Sequence, residues 1–222
     1  MRSSFVVATM VATSFAAHAL AGGSLYFDRA QFNADANTGA TAVEGFDSYD
    51  PGSNLTGATL NGMTLTGAAN MPLMVIRAAD GVRNPMASTS GMNVLSPGGS
   101  NIGLEEDDLT ITFATAVQAF GLDVIFDAPD GASFVGVTFR DVTGAIIASN
   151  GFIPAPNGAP GFTFVGFVSD RANIASVTFD EFDPSPLDDH VAYDSLTVSV
   201  PTPGSLALLG IGGMVIARRG RR

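Results

Sequence analysis

Short apolar segments with an alternating pattern run through this chain, separated by Gly, Asn, Asp and Pro. Residues 109–113 read Leu-Thr-Ile-Thr-Phe. Residues 134–139 place Val135, Val137 and Phe139 on one face. This period of two indicates β-strands that each bury one face. The strands predicted in this way are 63–66, 73–76, 109–113, 134–139, 145–148, 163–168, 175–179 and 191–200.

Three further segments complete the predicted elements. The unbroken apolar run Ala119–Phe126 is typical of a strand that is buried on both faces or crosses a sandwich core. Residues 141–144 predict a hairpin turn. Asp28 is a suitable N-cap for a helix over 29–37 that turns Phe32 inward and ends at Gly39. The pattern therefore predicts an all-β fold of two packed antiparallel sheets with one short N-terminal helix.

The N-terminus has the three parts of an export signal. Arg2 gives a positive start, residues 5–17 are apolar and small, and Ala19-Leu20-Ala21 forms an A-x-A cleavage site. We therefore expect a signal peptide over 1–21 and a globular domain over 22–200. A cut after Ala19, or an uncleaved membrane helix, are the alternatives.

The C-terminus is also tripartite. Pro201, Thr202 and Pro203 precede an apolar run over 206–217, and the chain ends with a basic cluster. Residues 203–219 would span about 25 Å as a helix, which crosses a membrane if the arginines snorkel and the bilayer thins. The basic cluster consists of Arg218, Arg219, Arg221 and Arg222.

This tail resembles the PEP-CTERM sorting signal of bacterial exosortase substrates, with Thr202 in place of the Glu of the Pro-Glu-Pro motif. The resemblance implies that residues 201–222 are a sorting and anchoring segment with a single membrane helix. It also implies an exosortase-type processing enzyme and the membrane as partners. A simple tail anchor that is never processed is the alternative.

The order of apolar phrases between residues 105 and 200 resembles the jelly-roll β-sandwich ectodomains that often carry such tails. That resemblance implies a jelly-roll-like sandwich exposed at the cell surface or in the extracellular matrix. Related sandwiches occur as carbohydrate-binding modules, which makes an extracellular polysaccharide a candidate partner.

The net charge of the chain limits which partners it can bind. The chain has a net charge of −11, and removing Arg2 and the four tail arginines leaves 22–200 with −11 − 5 = −16. A domain this acidic repels nucleic acid. The absence of cysteine excludes thiol catalysis, Cys-based zinc sites and disulfides.

Candidate catalytic groups are few in the sequence. His190 is the one histidine of 22–200 and lies in a polar lead-in to a strand, which is typical of a loop histidine. The acidic run 105–108 could be misread as a glycosidase pair, but adjacent acids repel and point in alternating directions, so we expect an exposed strand lead-in. A hydrolase is the least favoured class, and we expect no catalytic residues.

Acidic loops are the remaining candidates for a functional site, namely a metal site. Calcium binds carboxylate and carbonyl oxygens, which turning loops can supply together. The alternative is that aspartates occur in these loops because they favour turns and keep the protein soluble. The sequence has three such acidic clusters. They are Asp183 with Asp188, Asp189 and Asp194; Asp123 with Asp127 and Asp130; and Glu44 with Asp47 and Asp50. The predicted structural Ca²⁺ ligands are Asp127, Asp130, Asp188, Asp189 and Asp194.

Sugar-binding faces often use aromatic platforms, and here there is no Trp and three tyrosines, Tyr26, Tyr49 and Tyr193. The sequence therefore favours an exported, non-enzymatic structural or adhesive protein of the cell surface or extracellular matrix. A Ca²⁺-assisted carbohydrate-binding module is the alternative.

Overall fold

A computed structural model describes residues 22–36, 41–69, 71–81, 85–99, 107–126, 134–154, 161–182 and 191–199. The predicted signal peptide with its cleavage residues Ala19 and Ala21 lies outside these residues, as does the predicted tail over 201–222. No helix among the described residues has the length and apolar character that a membrane span requires.

The described residues form two antiparallel sheets and one short helix, α1 (Arg29–Asp35), so the predicted sandwich is confirmed. A 3-10 turn, Ala78–Asp80, follows the fifth strand. The strands are β1 (Gly23–Tyr26), β2 (Thr41–Glu44), β3 (Thr59–Leu60), β4 (Met63–Gly67), β5 (Leu73–Arg77), β6 (Asn93–Pro97), β7 (Leu109–Val117), β8 (Ala119–Phe126), β9 (Phe134–Arg140), β10 (Ile146–Pro154), β11 (Gly161–Ser169), β12 (Ile174–Phe182) and β13 (Val191–Ser199).

Within the described residues, one sheet has seven strands in the order β1-β11-β8-β13-β6-β5, with β2 also paired to β13. The other has six strands in the order β10-β9-β12-β7-β4-β3. Neighbours in each sheet are mostly distant in sequence. The outward side of each sheet therefore combines residues from widely separated parts of the chain.

The main core fills the space between the two sheets. It includes Leu109 and Ile111 of β7, Phe120 and Val124 of β8, and Phe179 of β12. All five are fully buried. Burying large apolar side chains is the main favourable contribution to folding, at about 25 cal/mol per Å² of apolar area. This core holds the two sheets face to face.

The outward side of the seven-stranded sheet is also covered, and this explains why β8 is buried along its whole length. Helix α1 places Phe32 against Phe164 and Ala119. Gly166 makes room for Phe32, because a Cβ there would lie 2.6 Å from the Phe32 ring. A second apolar cluster, which includes Met86 and Ile125, covers the other part of this side.

The predicted helix starts where the sequence indicates. The Asp28 carboxylate accepts from the Gln31 N–H at 2.9 Å, and Phe32 is fully buried. The helix ends at Asp35, one turn before the predicted stop at Gly39, because Ala36 has a ψ of 4° and leaves the helical conformation. The predicted hairpin turn is confirmed by the Thr143 and Ala145 N–H groups, which donate to Asp141 Oδ1.

Candidate binding face and buried carboxylates

The outward side of the six-stranded sheet is made largely of hydroxyl side chains. In β7, Thr110 and Thr112 alternate with buried Leu109, Ile111 and Phe113. Since side chains of a strand alternate between faces, the two threonines point away from the core. We call this outward side the threonine face.

The same alternation occurs in four neighbouring strands. Thr64 and Thr66 flank buried Leu65 in β4, and Ser176 and Thr178 flank buried Val177 in β12. In β9, Thr138 lies between two buried residues, and in β10 Ser149 follows a buried alanine. Thr59 of β3 is exposed at the sheet edge. The repeated hydroxyl–apolar–hydroxyl triplets at 64–66, 110–112 and 176–178 were the signal in the sequence for this face, and sequence reasoning missed it.

Strand register aligns these hydroxyls into two rows that run across the sheet. The first row is Thr59, Thr64, Thr112, Ser176 and Arg140. The second row is Thr66, Thr110, Thr178, Thr138 and Ser149. Adjacent members lie on strands about 4.8 Å apart, and the two rows are about 6.6 Å apart along each strand.

Hydroxyls within a row pair with one another. Thr59 Oγ1 lies 3.3 Å from Thr64 Oγ1, and Thr110 Oγ1 lies 3.2 Å from Thr178 Oγ1. A hydroxyl carries one donor and two acceptor lone pairs. In each pair one hydroxyl therefore keeps its O–H free for an outside acceptor, and both keep acceptor capacity.

Charge is confined to the border of the threonine face. Arg140 ends the first row, and its guanidinium donates to the Gly144 carbonyl at 3.0 Å, which holds it towards the hairpin turn. Asp180 is exposed on β12, one outward position beyond Thr178. Apart from Arg140, every residue of the two rows is uncharged.

Asp194, one of the predicted calcium ligands, is buried in β13 and surrounded by donors. Its Oδ2 accepts from the Thr89 N–H at 2.7 Å and the Ser90 N–H at 2.9 Å. Its Oδ1 accepts from the Ser90 hydroxyl at 2.7 Å and the Ser195 N–H at 2.6 Å. The carboxylate thus ties the 88–90 segment onto the seven-stranded sheet, and this task does not require an ion.

Asp123 was considered as part of an acidic loop cluster, and the structure places it in the middle of β8 with only 1% of its surface exposed. The Arg29 guanidinium approaches its Oδ1 at 2.9 Å and also donates to Thr197 Oγ1 at 2.9 Å. The same guanidinium lies 4.5 Å from the Phe164 ring centroid. Asp123 therefore fixes helix α1 onto the sheet.

Asp47, from the acidic cluster of Glu44, Asp47 and Asp50, also has a structural role. Its Oδ1 accepts from the Met92 N–H at 2.7 Å and the Asn93 N–H at 3.1 Å. The Met92 hydrogen bond is the largest cause that holds the pKa of the Asp47 carboxyl below its ordinary value. Asp47 thereby joins the turn after β2 to the start of β6.

Tyr193 cannot act as an aromatic platform for sugars, because it is fully buried between the sheets. Its hydroxyl donates to the Asp107 carbonyl at 2.7 Å, and burial, followed by the charge of Asp107, raises the pKa of Tyr193 well above its usual range. Asp107 Oδ2 accepts from the Val191 N–H at 2.6 Å. The expected exposed lead-in over 105–108 is wrong at Asp107, which is 1% exposed, because its carboxylate ties the start of β7 to the start of β13.

The other predicted site residues lie outside the described part of the chain. They are Asp127, Asp130, Asp188 and Asp189 of the calcium prediction, together with His190, the sorting motif and the basic cluster. Among the described residues, no group of three or more histidine, aspartate or glutamate side chains is arranged to hold a metal ion. The calcium prediction stays a prediction.

An open cleft of about 400 Å³ lies beside β5, at one edge of the seven-stranded sheet. Met74 and Ile76 contribute apolar lining, while Arg77 and Asp80 contribute charged groups. Its walls therefore combine apolar and charged side chains. The threonine face is the better candidate for binding.

Comparisons with known proteins give no family. No family model matches the chain, and no curated protein matches it. The chain is similar to the K1 cleaved adhesin domain of Lys-gingipain from Porphyromonas gingivalis W83, with 14% identity over 73% of this chain and 99% of that one and a TM-score of 0.45. The K2 adhesin domain of Lys-gingipain has 13% identity over 72% and 98%, with a TM-score of 0.46.

A carbohydrate-binding module is also similar in structure. TmCBM61, solved in complex with β-1,4-galactotriose, has 10% identity over 70% of this chain and 93% of that one, with a TM-score of 0.42. Identities and TM-scores this low leave the ligand and activity of this chain to be argued from its own residues.

Proposed function

We propose that the protein is an exported, non-enzymatic adhesive domain that works at the cell surface or in the extracellular matrix. The observation that supports this best is the threonine face, where five neighbouring strands and a sixth edge strand present aligned hydroxyls outward. A broad hydrogen-bonding surface with charge only at its border suits attachment to a polymer better than the chemistry of a small substrate.

Three carboxylates that bind other parts of the fold support a non-enzymatic role. Asp47, Asp123 and Asp194 each receive donors or a cation from a distant part of the chain. General acid–base catalysis needs a carboxyl that can reach a substrate and exchange a proton with it. These three groups instead stabilise loops and the helix.

Export and sorting are the second half of the proposal. The N-terminal signal and the PEP-CTERM-like tail would deliver 22–200 to the outside, anchored at least transiently by 201–222 and handled by an exosortase-type enzyme. Mass spectrometry of the mature C-terminus in each cell fraction tests this. An end near Pro201 to Pro203 indicates processing, whereas Arg222 retained in the membrane fraction indicates a plain anchor.

Adhesion is tested with the full chain produced with its own signals. Cells that produce it should retain more extracellular polymer and adhere to matrix-coated surfaces more strongly than cells that lack it. A chain that stays unprocessed in the cytosol, or cells whose adhesion does not change, would contradict the proposal. Turnover of a glycan by the purified chain would contradict its non-enzymatic part.

A further inference from the structure

We infer that the threonine face binds a single uncharged polysaccharide chain, which lies across the strands along the two hydroxyl rows. This inference rests on the proposed adhesive function and names its ligand class. It is carried by three properties of the face, namely its charge, its shape and its twist.

Charge selects a neutral ligand. The 22–200 segment has a net charge of −16, and the two rows carry no charge apart from Arg140, which ends the first row. A strongly acidic domain repels anionic polymers at a distance. An uncharged polyol is not repelled in this way, and its hydroxyls can both donate hydrogen bonds to the threonine hydroxyls and accept hydrogen bonds from them.

The shape of the face sets the direction of the ligand. Across the strands, five aligned positions cover about 19 Å, since neighbouring strands are about 4.8 Å apart. Along a strand, the hydroxyl band is only two positions deep, because Ala114 follows Thr112 outward on β7 and Asp180 follows Thr178 on β12. A long polymer makes the most hydroxyl contacts when it runs across the strands.

Twist decides between a flexible chain and a rigid lattice. Regular rows of threonine could also match the surface of a crystalline polymer or of ice. Adjacent strands of a sheet are rotated by about 20–25°, which accumulates to roughly 80–100° over four steps. A flat lattice loses contact with the outer strands, whereas one flexible chain follows the rotation.

The test compares isosteric variants of the full chain. Thr110→Val, Thr112→Val and Thr178→Val together remove three hydroxyls and keep the β-branched shape that strands favour. The matched Thr→Ser triple variant keeps the hydroxyls, and Thr115→Val removes an exposed threonine of β7 outside both rows.

Binding is measured by affinity electrophoresis and calorimetry with soluble galactomannan and dextran. Polygalacturonate and microcrystalline cellulose are the contrasting probes, and circular dichroism and gel filtration confirm that each variant is folded and monodisperse.

We expect a neutral soluble polymer to bind and the Val triple variant to lose about tenfold or more in affinity, since each lost hydrogen bond contributes modestly and three are removed. The Ser triple and Thr115→Val should bind within about threefold of the parent chain. Equal binding by the Val triple would overturn this inference while cell adhesion, measured separately, still supports the proposed function. Stronger binding to cellulose crystals, ice or polygalacturonate, or binding to no polysaccharide at all, would overturn it as well.

Discussion

Asp123 and Asp194 lie opposite each other on β8 and β13, as register partners on the outward side of the seven-stranded sheet. Both are almost completely buried, yet each carboxylate has a partner from a different element. Asp123 takes the guanidinium of Arg29 from helix α1, and Asp194 takes the N–H groups of Thr89 and Ser90. Two like charges side by side are tolerable only because one has a cation and the other has hydrogen-bond donors. The pair therefore connects two surface segments to one place in the sheet.

Asp194→Ala should destabilise the protein by about 3 kcal/mol, because the N–H groups of Thr89, Ser90 and Ser195 all lose their acceptor. Urea unfolding of the full chain measures the change. Asp180→Ala, at an exposed position of β12, is the matched control and should change stability by less than about 0.5 kcal/mol. Similar losses in the two variants would contradict the anchoring role.

Arg29→Met should cost about 3 kcal/mol, because it leaves the Asp123 carboxylate buried without its cation. Adding Asp123→Asn to Arg29→Met should recover part of that loss, since an amide does not need a counter-charge. A double-mutant cycle measures the coupling free energy between the two side chains. Additive losses would show that the ion pair does not act as a unit.

Phe32→Ala should loosen helix α1 from the sheet and cost about 3–4 kcal/mol, within the range for large-to-small changes in a core. Hydrogen exchange should rise most in Arg29–Asp35 and β11, with little change in β7. Gly166→Ala should give the same local pattern, because its Cβ would enter the space of the Phe32 ring. Uniform exchange across both sheets in either variant would contradict this local effect.

Acid should weaken the Asp47 contact. The hydrogen bond from Met92 lowers the pKa of Asp47 in the folded protein from its ordinary 3.8. The contact therefore stabilises the fold above pH 3.8, and that contribution is lost as the pH falls through the lowered folded-state value. Asp47→Asn should reduce stability at pH 7 and flatten its decline in acid. Parallel decline curves for the two proteins would contradict this assignment.

Calcium should raise the melting temperature if the predicted ligands Asp127, Asp130, Asp188, Asp189 and Asp194 hold an ion, because a ligand that binds only the folded state stabilises it. Thermal unfolding in micromolar Ca²⁺ and in EDTA measures this. Asp188→Asn with Asp189→Asn should remove the increase. Identical melting temperatures with and without calcium would reject a structural ion.

Much of the fold follows from local pattern. The alternation in β7 and the continuous apolar run of β8 predict both strands, and Asp28 predicts the start of the helix. Strand β6 was missed because all five of its residues are buried, so Asn93-Val-Leu-Ser-Pro97 shows no alternation. Strand β1 was missed because four residues beside glycines give too short a pattern.

The candidate site was harder to predict, because it depends on long-range register. Thr112 meets Thr64 and Ser176 only once β4, β7 and β12 are neighbours, and the sequence does not state that order. The roles of Asp123 and Asp194 were likewise hidden, since each partner lies about one hundred residues away in the chain. From the sequence alone these aspartates resemble loop residues that could bind a metal, because the groups that bind their carboxylates come from other elements.

Threonine-methyl NMR of the full chain during titration with soluble galactomannan tests the central claim most directly, since each methyl group reports on its own position. The account predicts that the methyl signals of Thr64, Thr66, Thr110, Thr112 and Thr178 shift together, while that of Thr89, half-buried beside Asp194 in the other sheet's cover, stays fixed. Shifts confined to threonines outside the two rows, with those of the face unchanged at saturating polymer, would contradict it.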